Sequence, residues 1–337
     1  MNLWLLLLGF ILVIWILIEA LWTALWIDGN SAPFTSRLTT WIWKTFRLVD
    51  RSNHHRFLSL SGPLTLFITV VIWVLLLGLG WTLMFQADPG SLVNPKDNTA
   101  PDFAGVIWYV AYTMFTVGNG DFSPQGFLWQ LISSFVGFTG MSIVTLSITY
   151  ILQVLSAVVN KRTFAAEVLS IGKSAEEMLL AQWDGKGFGQ IELQLNTWSS
   201  QLSKLTEQTL SYPILHYYHA ARGEKSSAVA LAVLDDALSM IACGIRKECQ
   251  PAPTILLAAR QSVRGHLDTL ETAFIKPANS IPASPDLSRL REAGIPVVDE
   301  KEFNHNINQL QDRRKLLLGM IQNAAWHWPP LKEDGQS

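Results

Sequence analysis

Thirty-four consecutive positions, Phe127 to Asn160, carry no charged residue. A run of that length has one common solution, a helix in a bilayer, because inside lipid every backbone polar group must be satisfied within the segment. It exceeds one perpendicular crossing, so we expect a tilted helix that continues past the inner membrane face. Pro63 to Phe85 is a second run, 23 uncharged residues opened by Gly62-Pro63. Leu3 to Ile27 is a third, apolar except for Glu19. At about 1.5 Å per residue it reaches about 37 Å, enough to cross a hydrocarbon core of about 30 Å. No basic stretch precedes it and no small-residue cleavage site follows, so it reads as a span rather than a signal peptide. Glu19 is costly against lipid, so it faces the bundle, pairs with a basic group or sits near a wet boundary.

Charge divides the chain. Residues 1–160 hold 6 of the 25 Lys and Arg and 7 of the 27 Asp and Glu; the remainder lies in 161–337. The first part is therefore lipid-facing and the second behaves as a soluble domain. A net charge of −2 offers no basic footprint for nucleic acid. The resulting organisation is an N-terminal span over 1–27, a linker over 28–62, a membrane unit over 63–160 and a helical domain over 161–337.

The linker carries Arg37, Lys44, Arg47, Arg51 and Arg56 against Asp28 and Asp50. Within it Ile42, Thr45, Phe46 and Val49 share one helical face, with Lys44, Arg47 and Arg51 turned away and Trp41 and Trp43 alongside. That is the pattern of an amphipathic helix lying in the membrane interface. Three basic residues in a polar segment do not make a voltage-sensing helix, which needs several charges on a span. The loop from Gln86 to Asp102 is net acidic, with Asp88, Asp97 and Asp102 against Lys96. The basic linker is then expected inside and the acidic loop outside, with the N-terminus external. Lys161 and Arg162, just beyond the last run, agree with a cytoplasmic 161–337.

Phe103 to Phe115 is apolar but only 13 residues long, too short to cross, so a re-entrant helix capped near Pro101-Asp102 is expected. It leads into Thr116-Val117-Gly118-Asn119-Gly120-Asp121. Glycines tolerate backbone angles that other residues resist, so alternating them with Thr and Val lets successive carbonyls point one way. A row of carbonyls can replace the hydration shell of a cation. One such strand cannot enclose an ion, so the assembly must be oligomeric.

This hexad, with the short helix before it and the long uncharged run after it, resembles the selectivity filter of the potassium-channel superfamily over roughly Pro63 to Asn160. The resemblance implies an all-α membrane protein: a potassium-channel-like pore domain with a re-entrant pore helix and filter, here joined to an extra N-terminal span and an all-α cytosolic domain. It implies a homotetramer in a cell's plasma membrane, with Thr116, Val117, Gly118, Asn119 and Gly120 as ion-binding residues and Trp108, Tyr109 and Asp121 as filter support. The permeant ion is potassium, with weak sodium–potassium selectivity as the alternative; no cofactor is implied. Asn119 departs from the family, whose potassium-selective members mostly hold Tyr or Phe there. Gly140 stands 20 residues after Gly120, where many relatives hinge the inner helix, and Gly137 is a neighbouring candidate. Both could equally permit close helix packing. Val144, Ile148 and Leu152 follow at four-residue steps and would line the cavity and a hydrophobic gate.

The remainder shows helical periodicity over Thr163 to Trp183, Ile191 to Leu210, Ser226 to Arg246, Thr254 to Phe274 and Glu302 to Ala325, with Gly294-Ile-Pro-Val-Val the one modest strand candidate. Gly185, Gly187 and Gly189 lack the strand and the Lys-Ser/Thr of a phosphate loop and read as an inter-helix turn. His216 and His219 have metal-ligand spacing without a third ligand. Trp198, Tyr217 and Tyr218 read as core aromatics. Cys243 and Cys249, six residues apart, would face about 240° apart on one helix and read as two buried thiols. No catalytic motif appears, so an enzyme is not expected. The domain is expected to receive a gating ligand or protein, or, in a rival reading, to signal to partners from a membrane sensor whose pore no longer conducts.

Overall fold

The computed structural model describes residues 1–26, 32–49, 58–273 and 275–328; the side chains of 47–49 and 273 are not among those described. Arg47, Val49, Arg51 and Arg56 therefore lie outside the described side chains. The protein is an all-α membrane protein. The chain forms two units, residues 1–44 with 63–154, and 45–62 with 155–337.

The membrane unit contains α1 (Leu3–Leu25), most of α2 (Pro33–Val49), α3 (Ser61–Gln86) from Pro63 onward, α4 (Phe103–Met114) and the first part of α5 (Gly126–Ile171). In α1 the buried residues Gly9, Val13, Ile16, Ala20 and Thr23 recur at steps of four and three, one seam on an otherwise exposed apolar helix. Such a seam is what a lipid-embedded helix keeps for its protein neighbours. Gly9 lies so close to α3 that a Cβ there would sit 2.6 Å from the Gly80 carbonyl oxygen. Asn2 caps α1, its Oδ1 accepting from Trp4 N at 3.1 Å. At the other end Trp22 and Trp26 pack together at 5.9 Å, in keeping with an interfacial aromatic belt.

Glu19 faces the bundle. It is buried, and its Oε1 accepts a hydrogen bond of 2.7 Å from Thr35 N in the first turn of α2. A carboxylate there satisfies a backbone N–H without an intrahelical partner and complements the positive end of the helix dipole. The face that α2 buries consists of Thr35, Thr39 and Trp43. Ile42 and Phe46 are half-buried, while Thr45, Lys44, Arg37 and Trp41 are exposed. The apolar stripe read from the sequence is thus not the face that α2 packs against protein.

The second unit is built from the end of α5, α6 (Ala175–Gln182), α7 (Glu192–Ser211), α8 (Ser227–Gly244), α9 (Pro253–Ala273), α10 (Ser288–Glu292), α11 (Glu300–Asn308) and α12 (Gln311–Asn323). α8 is long and apolar enough to cross a membrane. It lies at the centre of the second unit's core, buried on nearly every side. Its Asp235 and Asp236 pair with Arg313 and Arg314 of α12, and Arg314 also donates to the Ala283 carbonyl at 2.7 Å.

Three boundaries differ from the sequence reading. α5 does not end at the first charges but runs on to Ile171, and its Phe164, Ala165 and Val168 enter the second core. It stops where Gly172 meets the Met178 backbone so closely that a Cβ would lie 2.4 Å from the nitrogen. The last helix is broken into α11 and α12 at Gln309-Leu310. α8 ends at Gly244, so Cys249 sits in a 3-10 turn beyond it; both thiols are free, and Cys243 is half-buried rather than buried. The Gly294–Val298 stretch contributes one bridge, Ile245 with Val297.

Candidate functional site

α4 begins as its sequence requires. Asp102 Oδ1 accepts from Gly105 N at 2.8 Å, capping a helix whose apolar residues Val106, Tyr109, Val110 and Met114 are buried. At its other end the chain turns directly into the hexad. Thr116 N donates to Thr113 O at 3.1 Å, and Val117 N to Tyr112 O at 2.8 Å. Thr116, Gly118 and Gly120 have φ of 58°, 66° and 77°, whereas Val117 and Asn119 do not. A Cβ at either glycine would meet nothing within 4 Å, so backbone handedness, not crowding, is what demands glycine there. Thr116 pays a steric penalty for the same handedness, since a β-branched residue rarely adopts it. The hexad is exposed throughout in the single chain.

The residues expected to support the hexad divide. Trp108 Nε1 donates to Asp121 Oδ2 at 2.9 Å, and Asn119 Nδ2 donates to the same oxygen at 3.3 Å. Tyr109 does not reach the hexad. It is buried against Phe85 at 5.1 Å, and its hydroxyl meets Ser133 Oγ of α5. A residue the sequence reading passed over reaches Phe122, the residue that follows the hexad. The Tyr112 hydroxyl accepts from Phe122 N at 3.2 Å and donates to Phe122 O at 2.9 Å. Its ring stands edge-on to Trp108 at 5.8 Å and to Tyr109 at 5.4 Å. The signal was the i, i+4 spacing of Trp108 and Tyr112, which puts both on one face of α4.

The chain leaving the hexad is pinned to the loop before α4. Strand β1 (Leu92–Val93) pairs antiparallel with β2 (Ser123–Pro124), and Gln125 N donates to Ser91 O at 2.9 Å. Ser91 Oγ in turn donates to Phe85 O, and Trp129 Nε1 to Asp88 Oδ2 at 3.0 Å.

Both glycines of interest lie within the unbroken α5. Gly140 is pressed onto the last residue of α4: a Cβ would be 2.3 Å from Met114 O. Gly137 has more room, its nearest neighbour being Thr113 O at 3.6 Å. Trp81 Nε1 donates to Thr139 Oγ1 beside them, at 3.0 Å. Val144 is half-buried, while Ile148 and Leu152 are exposed on the single chain.

In the second unit, His216 Nε2 contacts Asn323 Nδ2 at 3.1 Å and His219 stacks on Trp326. No cluster of three metal-ligating residues occurs among the described residues. Gly185 lies in a turn whose Asp184 Oδ1 accepts from Lys186 N and Gly187 N, both at 2.7 Å. Trp198 and Tyr218 are buried and Tyr217 is half-buried. The 3-10 segment Pro213–Tyr217 and Tyr218 after it are gripped twice. Lys161 Nζ donates to Leu215 O at 2.9 Å and Tyr218 O at 3.2 Å, and Ser61 Oγ to Tyr217 O at 3.0 Å.

Two spans around a short capped helix and an exposed hexad of alternating handedness define the pore domain of an ion channel. Residues 67–157 match the family model described as Ion channel. The chain is 41% identical over 313 residues to a Bacillus subtilis (strain 168) protein described as "Uncharacterized membrane protein YdjJ", which covers 93% of this chain and 92% of the relative. The chain belongs to one family of membrane proteins with that relative, and its pore domain places it in the potassium-channel superfamily. No solved structure matches it.

Proposed function

We propose that the protein is a homotetrameric, potassium-selective channel in the plasma membrane, in which Thr116 to Gly120 of four chains form the ion path. The observation that carries this reading is the alternation of φ along the hexad. Alternating handedness lets successive peptide groups present the same pole to one side, and four such strands would give stacked rings of carbonyls. α4 ends immediately before the hexad, so the negative end of its dipole would favour a cation near Thr116. Asp121, fixed by Trp108 and Asn119, supplies negative charge at the outer end. Ile148 and Leu152 are exposed on the face where a cavity and gate would be lined by other copies.

Gating would pass through both membrane helices that enter the second unit. Ser61 starts α3 and Lys161 lies on α5, and both hold carbonyls of residues 215–218. Movement of that segment by a cytosolic ligand or protein would bias the gate only if the ligand binds the open and closed states unequally. Gly137 or Gly140 would serve as the bending point of α5. The basic linker and 161–337 would be cytoplasmic, and the loop around Lys96 external. Purified protein in potassium-loaded liposomes tests the reading: a potassium flux absent from empty vesicles supports it, and no flux under any membrane potential or cytosolic condition refutes it.

A further inference from the structure

We infer that Tyr112 is a positioning residue that holds the hexad at both of its ends. The inference rests on the hexad being the ion path. Its backbone carbonyl accepts from Val117 N at 2.8 Å, fixing the entry to Gly118. Its hydroxyl takes both hydrogen-bonding groups of Phe122, the residue that follows Asp121. A phenol has one hydrogen to give and can accept in return, so this pairing uses its donor and satisfies the N–H and the C=O of one peptide residue together. One residue of α4 therefore brackets residues 117 to 122, with its carbonyl at one end and its hydroxyl at the other.

The side chain is well placed to transmit that stiffness. Tyr112 is buried, and its ring is wedged edge-on between Trp108 and Tyr109. A tyrosine has few rotatable bonds, so its hydroxyl is located as firmly as its ring. Asn119, by contrast, spends its amide on Asp121 at 3.3 Å, sharing the oxygen that Trp108 already engages. Its side chain braces the hexad only through a neighbour two residues away. The support that Asn119 does not supply from within the hexad comes from α4 through the two bonds to Phe122.

Removal of one atom tests this. Tyr112→Phe keeps the ring and loses the hydroxyl. Tyr109→Phe is the control, since it loses a hydroxyl on the same helix that contacts Ser133 of α5 rather than the hexad. Two readouts on the full-length protein decide the matter. In bilayers the potassium-to-sodium permeability ratio should fall by about threefold to tenfold in Tyr112→Phe, the factor that a hydrogen bond of ordinary net strength represents, and stay at the wild-type value in Tyr109→Phe. In detergent, deuterium uptake over residues 116–124 should rise in Tyr112→Phe and not in Tyr109→Phe. If wild-type protein does not conduct, the channel reading fails, and the uptake measurement alone still decides the role of Tyr112. An unchanged ratio in conducting protein, an unchanged uptake, or equal changes in both variants overturns the inference.

Discussion

Gly140→Ala is expected to destabilise the membrane unit, whereas Gly137→Ala, one helical turn earlier, is expected to be tolerated. The two residues sit on the same helix and differ in what lies opposite. A methyl at Gly140 would be 2.3 Å from Met114 O and 2.9 Å from Met114 C, both backbone atoms, and 2.4 Å from Met114 Cγ. That is roughly 1 Å inside the closest comfortable approach, so α4 or α5 must move as a body. Overpacking of this kind costs about 1–3 kcal/mol. Helix propensity returns about 1 kcal/mol when Gly becomes Ala, which leaves a net loss of up to about 2 kcal/mol. At Gly137 the nearest atom is 3.6 Å away, an ordinary contact, so only the propensity gain remains. Thermal unfolding of each purified variant in one detergent, followed by tryptophan fluorescence, reads the difference. Because Met114 is two residues before Thr116, the Gly140→Ala shift should also reduce ion flux. A Gly140→Ala protein at least as stable as wild type would refute the packing argument and leave bending as the reason for that glycine.

Glu19→Ala should destabilise the protein by about 1 kcal/mol through loss of the bond to Thr35 N, and Glu19→Gln, which keeps an acceptor, should recover most of it; equal losses in chemical denaturation would contradict the cap. His266 is buried beside Thr206, and desolvation, aided by the charge of Lys161, pushes it down to about 4. The unfolded chain then binds the proton first as pH falls, so the stability present above about pH 6.5 is lost on the way to pH 4, about 1 kcal/mol of it between pH 7.5 and 5.5. His266→Gln should remove that share. Burial pushes Asp236 up, against the opposing effect of Arg314, and so acts in the reverse sense, which makes the difference between the two proteins the readout. A cysteine placed at Lys44 should resist a membrane-impermeant thiol reagent in intact cells, and labelling there would invert the topology.

The membrane helices were legible because lipid imposes a coarse rule, charge absent for long enough, and α1, α3 and α4 obey it to within a residue or two at most ends. The same rule misplaced the end of α5. Lys161 and Arg162 end the uncharged run but not the helix, which runs on until the Met178 backbone crowds Gly172. The Asp102 cap was readable because it is local. The partner of Glu19 was not, since Thr35 N is 16 residues away and only tertiary structure brings it near. At the hexad, the glycine positions announced the backbone, and Trp108 and Asp121, each expected as support, are bonded to one another. Tyr112 was passed over because its partner is a backbone group, and only its place four residues after Trp108, on the same face of α4, hinted at it.

Bi-ionic reversal potential, with potassium on one side of a bilayer and sodium on the other, tests the central claim most directly. The account predicts a reversal potential displaced strongly toward that of potassium in wild-type protein, with a larger displacement in Asn119→Tyr if the Asn119–Asp121 bond is what leaves the outer hexad loose. A reversal potential near zero in wild type, unchanged by Asn119→Tyr, would contradict it.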